Sequence, residues 1–227
     1  MKKRLFPVLF SLLLLCGSFP AVADAADPVS RMFFFGESTT SHLALRGGID
    51  PSHVWANPSG TMKLDSGILS RPLVDHATGR VCTVSELAAA YRPEFLVLSF
   101  GLNGVMVYSE KPDLFLRNYR RLIDAVRAVS PETRIIIQSV CPVACASCQS
   151  DWHFSVSPEE INRRLASLNA CLLSFCRADP SLLYIDTASA LTDASGFLRS
   201  DLTTDGIHLN ASAYRLLLSA LREGVRE

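Results

Sequence analysis

Three apolar runs restrict this chain more than anything else in it: Met32-Phe-Phe-Phe35, Phe95-Leu-Val-Leu-Ser-Phe100 and the Ile135-Ile-Ile137 centre of a strand over Arg134–Val140. None alternates with polar residues. That is the pattern of strands covered on both faces, and such strands belong to parallel sheets. Val54-Trp-Ala56 and Leu183-Tyr-Ile-Asp186 read as shorter strands, and the first run extends over Arg31–Gly36. Helices are predicted over Thr40–Arg46, Val84–Tyr91, Asp113–Val129 and Ala211–Arg222, with another opened by Ser157-Pro-Glu-Glu160. In the third of these, Phe115, Tyr119, Leu122, Ile123 and Val126 fall on one face, as helical spacing requires. Ser157, Pro158 and Glu160 read as a capping box. Residues 49–83 are irregular in composition and 187–209 are mostly loop. Strands alternating with helices predict an α/β fold with a central parallel sheet and helices on both faces.

The first residues are Met1-Lys-Lys-Arg4, followed by the apolar run Leu5–Phe19 and two A-x-A sites at Ala21–Ala23 and Ala23–Ala25. This is the pattern of a secretory signal peptide over residues 1–23, leaving one domain over 27–227. A retained anchor is the alternative. Cys16 follows Leu15 rather than a small residue, which argues against lipidation. Losing Lys2, Lys3 and Arg4 from 22 basic side chains leaves 19 against 22 acidic ones, a net charge of −3. That balance gives no footprint for nucleic acid or for a polybasic membrane patch, and stable membrane insertion after cleavage is not expected. A secreted or periplasmic protein follows, with a monomer as the default.

Six cysteines remain after the leader: Cys82, Cys141, Cys145, Cys148, Cys171 and Cys176. An even number in an exported chain predicts disulfides. Cys171 and Cys176 are five apart on one helix, a poor geometry for a direct bridge. They, or Cys82, are expected to pair with the 141–148 loop. The Cys141-x3-Cys145-x2-Cys148 spacing also suits an iron–sulfur or zinc site. A late position in an exported chain argues for oxidised thiols instead.

In a parallel sheet, sites form outside the carboxyl ends of the strands. Ser38 follows the first strand after Gly36, whose freedom of backbone angle suits the turn. It also stands at a helix start whose N–H groups favour an oxyanion. Asn103 follows the strand ending at Phe100, between Gly101 and Gly104. Asp205 and His208 share a loop before the last helix. An imidazole can take a serine proton, and a carboxylate three residues earlier can fix its tautomer. His42, one turn after Ser38, is an alternative base that reads as a rim residue. Asp75-His76 reads as a turn. Trp152 and His153 are candidate pocket residues, and Arg46 and Arg71 read as solvated.

Gly36-Glu-Ser38, Gly101-Leu-Asn-Gly104 and Asp205-Gly-Ile-His208 occur in the order and on the elements of three motif blocks. In these the chain resembles the SGNH, or GDSL-like, hydrolase family of serine esterases and acylhydrolases. The resemblance implies a flavodoxin-like, three-layer α/β/α sandwich and ester hydrolysis through an acyl-serine, with no cofactor and no metal. It assigns Ser38 as nucleophile, His208 as base and Asp205 as its partner. It assigns the oxyanion hole to the Ser38 N–H, the Asn103 side chain and a second-block glycine, Gly60 with Gly67 as runner-up. Two positions depart from the pattern: Glu37 stands where the family keeps Asp, and Gly104 stands where Asp follows the Asn. The function expected is cleavage of a short-chain carboxylic ester, such as an O-acetyl group on a glycan or small molecule. An acyltransferase with the same triad and a non-catalytic carbohydrate-binding module are the alternatives.

Overall fold

The apolar runs pair side by side because only neighbouring strands can satisfy their backbone groups away from water. A computed structural model describes residues 27–57, 61–150 and 154–226. Residues 1–23, read as a signal peptide, and Gly60, Trp152 and His153 lie outside the described residues.

In chain order the elements are β1 (Met32–Gly36), α1 (Ser38–Arg46), β2 (Val54–Trp55), β3 (Leu73–Val74), β4 (Val81–Cys82) and α2 (Val84–Tyr91). There follow β5 (Phe95–Ser99), α3 (Val105–Tyr108), α4 (Pro112–Val129), β6 (Arg134–Gln138), α5 (Pro158–Arg177), β7 (Leu182–Ile185) and α6 (Ala211–Gly224). The main sheet runs β2-β1-β5-β6-β7, and all its pairings are parallel. This is the flavodoxin-like order, and it reverses direction between β1 and β5. β3 and β4 pair antiparallel in a separate hairpin within the stretch that composition left irregular.

Successive strand side chains point to opposite faces. Phe33, Phe35, Leu96, Leu98, Ile135 and Ile137 are buried with α2, α4 and α5. Met32, Phe34, Val97 and Ile136 are buried with α1 and α6 on the other face. Thr83 and Glu86 close a reciprocal capping box at the start of α2. At α5 the box stays half closed. Ser157 accepts from the Glu160 N–H, but the Glu160 carboxylate binds Arg163 and Arg164 instead. No described helix is long and apolar enough to cross a membrane.

The faces also explain the cysteines. Cys141 and Cys148 pack with the α1/α6 core, whereas Cys82 and Cys176 pack with the α2/α4/α5 core. The sheet separates them, and the expected bridge from the 141–148 loop to Cys82, Cys171 or Cys176 is not formed.

Gly36 is needed for space rather than for its backbone angle. A Cβ there would lie 2.2 Å from Thr40 Oγ1 and 2.4 Å from the Ser99 carbonyl of the neighbouring strand. Gly36→Ala must therefore spread β1 from β5. It should lower the unfolding free energy by roughly 1–3 kcal/mol, the range for overpacking a tight core. The shift in urea midpoint, with an unchanged slope, measures it.

Candidate active site

The two strands on either side of the order reversal deliver the first two groups. β1 ends at Gly36, Glu37 caps α1 without a side-chain bond, and Ser38 is the first residue of the helix. Its N–H lies in the first turn, where no earlier helical carbonyl can take it. β5 ends at Ser99, and Gly101 takes φ +151°, a value suited to glycine. That turn carries Asn103 back toward Ser38.

The third group comes from the loop before α6. Asp205 opens a tight turn in which its Oδ1 accepts from the N–H groups of Ile207 (2.9 Å) and His208 (2.7 Å). Its Oδ2 lies 2.7 Å from His208 Nδ1, and His208 Nε2 lies 3.2 Å from Ser38 Oγ. Ser38, His208 and Asp205 thus form one hydrogen-bonded chain. Two anchors fix this loop and α1 together. Arg46 donates to the Leu209 carbonyl at 3.0 Å, and Tyr214 Oη donates to the Thr39 carbonyl at 2.7 Å. Arg46 is therefore a structural tie, and Arg71 is paired with Asp65 at 2.6 Å.

Partial burial raises the Asp205 carboxyl pKa, but the His208 N–H, the imidazole and the Ile207 N–H outweigh it and hold it below its ordinary value. His42 sits closer to the chemistry than a rim residue would. Its ring lies 4.9 Å from that of His208 and lines the same cleft. Burial, then the neighbouring His208 and Arg46, push its pKa down. It contacts the imidazole rather than Ser38, so among the described residues His208 is the histidine within hydrogen-bond reach of Ser38 Oγ. The i, i+4 spacing from Ser38 was the only sequence signal for it.

Asn103 donates one side-chain N–H to the Met62 carbonyl at 2.8 Å. The amide has a second proton, and its side chain lines the cleft with Ser38 and His208. Gly67 does not join them: its N–H is held by Asp65 Oδ1 at 2.9 Å. Gly60 falls outside the described residues, although Asn57 and Thr61 on either side of it both line the cleft.

Glu37 is buried beneath this loop. Its Oε1 accepts from the Gly101 N–H at 3.0 Å and its Oε2 from the Asn103 N–H at 3.1 Å. Gly104 has no room for the acid that the motif leads one to expect, because a Cβ would lie 2.0 Å from the Tyr108 ring. Asp75 forms the expected turn, accepting from Ala77 N–H, Thr78 Oγ1 and Tyr91 Oη. His76, which the sequence suggests only as part of that turn, reaches the cleft wall.

A model of the GDSL-like lipase/acylhydrolase family matches residues 66–216. The match holds Asn103, Asp205 and His208 but begins after Ser38. No curated protein matches the chain in sequence. Among solved structures, a GDSL-like lipase from Bacteroides thetaiotaomicron is similar at 16% identity, with 90% of this chain and 92% of that one covered and a TM-score of 0.63. A catalytic mutant of an acetylxylan esterase from Geobacillus stearothermophilus is similar at 13% identity (86% and 93% covered, TM-score 0.56). So is a carbohydrate esterase family 3 protein from Talaromyces cellulolyticus, at 13% identity (86% and 95% covered, TM-score 0.53). At these identities the likeness is one of fold.

Burial raises the Glu37 carboxyl from 4.5 to about 7, against the lowering effect of the N–H groups of Gly101, Asn103 and Leu102. Below pH 4.5 the group is protonated in both folded and unfolded chains. As pH rises toward about 7 the unfolded chain gives up this proton while the folded chain keeps it, so stability falls across that window. Glu37→Gln should flatten this decline by on the order of 3 kcal/mol. Urea midpoints of wild type and variant, compared across the window, check it.

Proposed function

The chain belongs to the GDSL-like lipase/acylhydrolase family, and from that premise we propose that it is an exported hydrolase of carboxylic esters acting through an acyl-serine on Ser38. The observation that carries this reading is the continuous chain Ser38 Oγ–His208–Asp205, with links of 3.2 and 2.7 Å. In the proposed reaction Ser38 Oγ attacks the ester carbonyl carbon and His208 Nε2 accepts its proton. Asp205 keeps Nδ1 protonated and stabilises the imidazolium. The tetrahedral oxyanion is met by the Ser38 N–H and the second Asn103 N–H, with Gly60 as the third donor. His208 then protonates the departing alkoxide. Water, activated by the same imidazole, cleaves the acyl-serine and releases the acid.

Ser38 and His208 open on a cleft of about 970 Å³. Ser41, Asn57, Thr61, Lys63 and His76 line it with hydroxyl, amide, ammonium and imidazole groups, while Leu45, Val54 and Phe154 give apolar walls. That mixture suits the hydroxyl-rich alcohol half of an ester, and an O-acetyl group on a glycan is the substrate class we favour. A second reading of the acyl half comes from an adjoining pocket of about 500 Å³ beyond Asn103. Val105, Met106, Val107 and Leu114 line it, and it suits a longer acyl chain. Export follows from the leader over 1–23, which would leave the single domain over 27–227.

Mature protein should hydrolyse p-nitrophenyl acetate and label with a fluorophosphonate at Ser38, and Ser38→Ala should lose both. Equal rates for wild type and Ser38→Ala across chain lengths from acetate to octanoate would overturn the hydrolase reading. A maximum at acetate supports the acetyl ester, and one at a longer chain supports the second reading. Asp205→Asn should lower kcat by roughly 10³–10⁴-fold, as loss of the correct tautomer does in serine triads. Asn103→Ala should lower kcat by about 10²–10³-fold with little change in KM, the signature of a lost oxyanion donor.

A further inference from the structure

We propose that Cys145 and Cys148 form a disulfide that braces the turn carrying Asp205 and His208. Their sulfurs are 3.5 Å apart across the single 3-10 turn Ala146–Cys148, which the Cys148 N–H closes by donating to the Cys145 carbonyl at 3.0 Å. No other cysteine pair among the described residues has its sulfurs in contact. Cys141 is buried in the α1/α6 core, and burial pushes its thiol up to about 12. Both sulfurs of the 145/148 pair are half-buried on the surface of the loop, within reach of a reagent. A bonded pair needs about 2 Å between sulfurs and a Cα separation that one tight turn can supply.

The cysteines differ in a way that sets the order of events. Ser147 Oγ lies 3.2 Å from Cys145 Sγ and 3.9 Å from Cys148 Sγ. The hydroxyl supports a thiolate at Cys145 first, and its thiol is held below the ordinary range while that of Cys148 is raised. The oxidant is a disulfide of the thiol-exchange class, small-molecule or protein, of the kind present wherever exported chains fold. The Cys145 thiolate attacks one sulfur of that disulfide, forming a mixed disulfide and expelling one thiol. Cys148 loses its proton and attacks Cys145 Sγ, forming the intramolecular bond and expelling the second thiol. Two electrons and two protons pass to the reagent, whose disulfide becomes two thiols.

The turn matters because of what leans on it. The Ala144 N–H donates to the Gly206 carbonyl at 2.8 Å, and the Ser150 N–H to the Asp205 carbonyl at 3.2 Å. Gln149, next to Cys148, donates from Nε2 to Ala144 O at 2.6 Å and to Gly206 O at 3.3 Å. Gly206 has φ +90°, and a Cβ there would lie 2.3 Å from Gln149 Oε1. The segment 144–150 is thus a strap laid directly under Asp205-Gly206, and the cysteine pair sits inside it. Cross-linking removes open conformations of the strap and, through these bonds, of the turn it supports.

The claim that this turn serves catalysis rests on the function proposed above, and the oxidant on the export proposed there; the contact between the sulfurs and the bonds to the turn do not. Mature protein equilibrated with oxidised glutathione, alkylated under denaturing conditions without reduction and digested should yield a 145–148 cross-linked peptide. Hydrogen exchange at residues 205–208 should then speed up on the order of tenfold after reduction, the scale set by closing a four-residue loop. Cys145→Ser/Cys148→Ser should exchange at the faster rate with or without reductant, and Ser38→Ala should behave as wild type. Full alkylation of both cysteines, or exchange at 205–208 that reduction leaves unchanged, would overturn the proposal. Loss of the cross-link leaves the esterase assays intact as a separate test.

Discussion

A carboxylate under the sheet edge sets the distance between the two loops that matter most. Glu37 is covalently next to Ser38, and its two oxygens hold the N–H groups of Gly101 and Asn103. One side chain therefore registers the proposed nucleophile against the proposed oxyanion donor. An ionised carboxylate stripped of water is costly unless its lone pairs are filled. Here the partners are all main-chain N–H groups of one turn, and that turn has its shape only because Gly101 can adopt φ +151°. Tyr108 completes the arrangement. Its ring fills the space beside Gly104, and its hydroxyl donates to the Leu64 carbonyl at 2.7 Å. The two departures from the family motif are thus answered by different means: a longer acid that reaches the loop from below, and an aromatic ring where a second acid would stand.

The strands were legible because burial on both faces leaves a composition that nothing else produces. Phe95–Ser99 and its neighbours needed no tertiary information. The long helices were legible because a stripe such as Phe115 to Val126 repeats over about three turns. What escaped was too short to repeat. β3 and β4 have two residues each, and Val81 is 67% exposed, so no alternation could show. α3 is one turn long. The half-closed box at Glu160 was misread for another reason: Arg163 and Arg164, one turn on, compete for the same carboxylate, and charge-assisted pairs outweigh a backbone N–H.

The site divides in the same way. Asp205 and His208 are three apart, so a local turn can join them and the sequence can suggest it. Ser38 and His208 are 170 apart, and only the strand order brings them together. The reversal between β1 and β5 opens a crevice, β6 supplies the strap over 144–150, and the chain after β7 supplies the histidine loop. Gly36 shows the limit most clearly. Its neighbour Thr40 is visible in the sequence, but the Ser99 carbonyl 2.4 Å from its missing Cβ belongs to a residue 63 positions away on another strand.

Glu37 also carries an opposition between folding and function. The folded chain holds the Glu37 proton more tightly than the unfolded chain does, which is what a carboxyl raised to about 7 means. The loop, in contrast, is best held by the charged form, whose two oxygens accept without having to donate. Protonation would turn one oxygen into a donor facing an N–H group. Near neutral pH the acid stands between these demands, and stability is given up there for a fixed 101–103 turn. An aspartate would be one methylene shorter. To keep both bonds it would have to draw β1 and the 101–103 turn closer together, where Gly36 and Ser99 already leave no room for a single carbon atom. The length of the acid at position 37 is therefore set by the spacing of the two strands on either side of it.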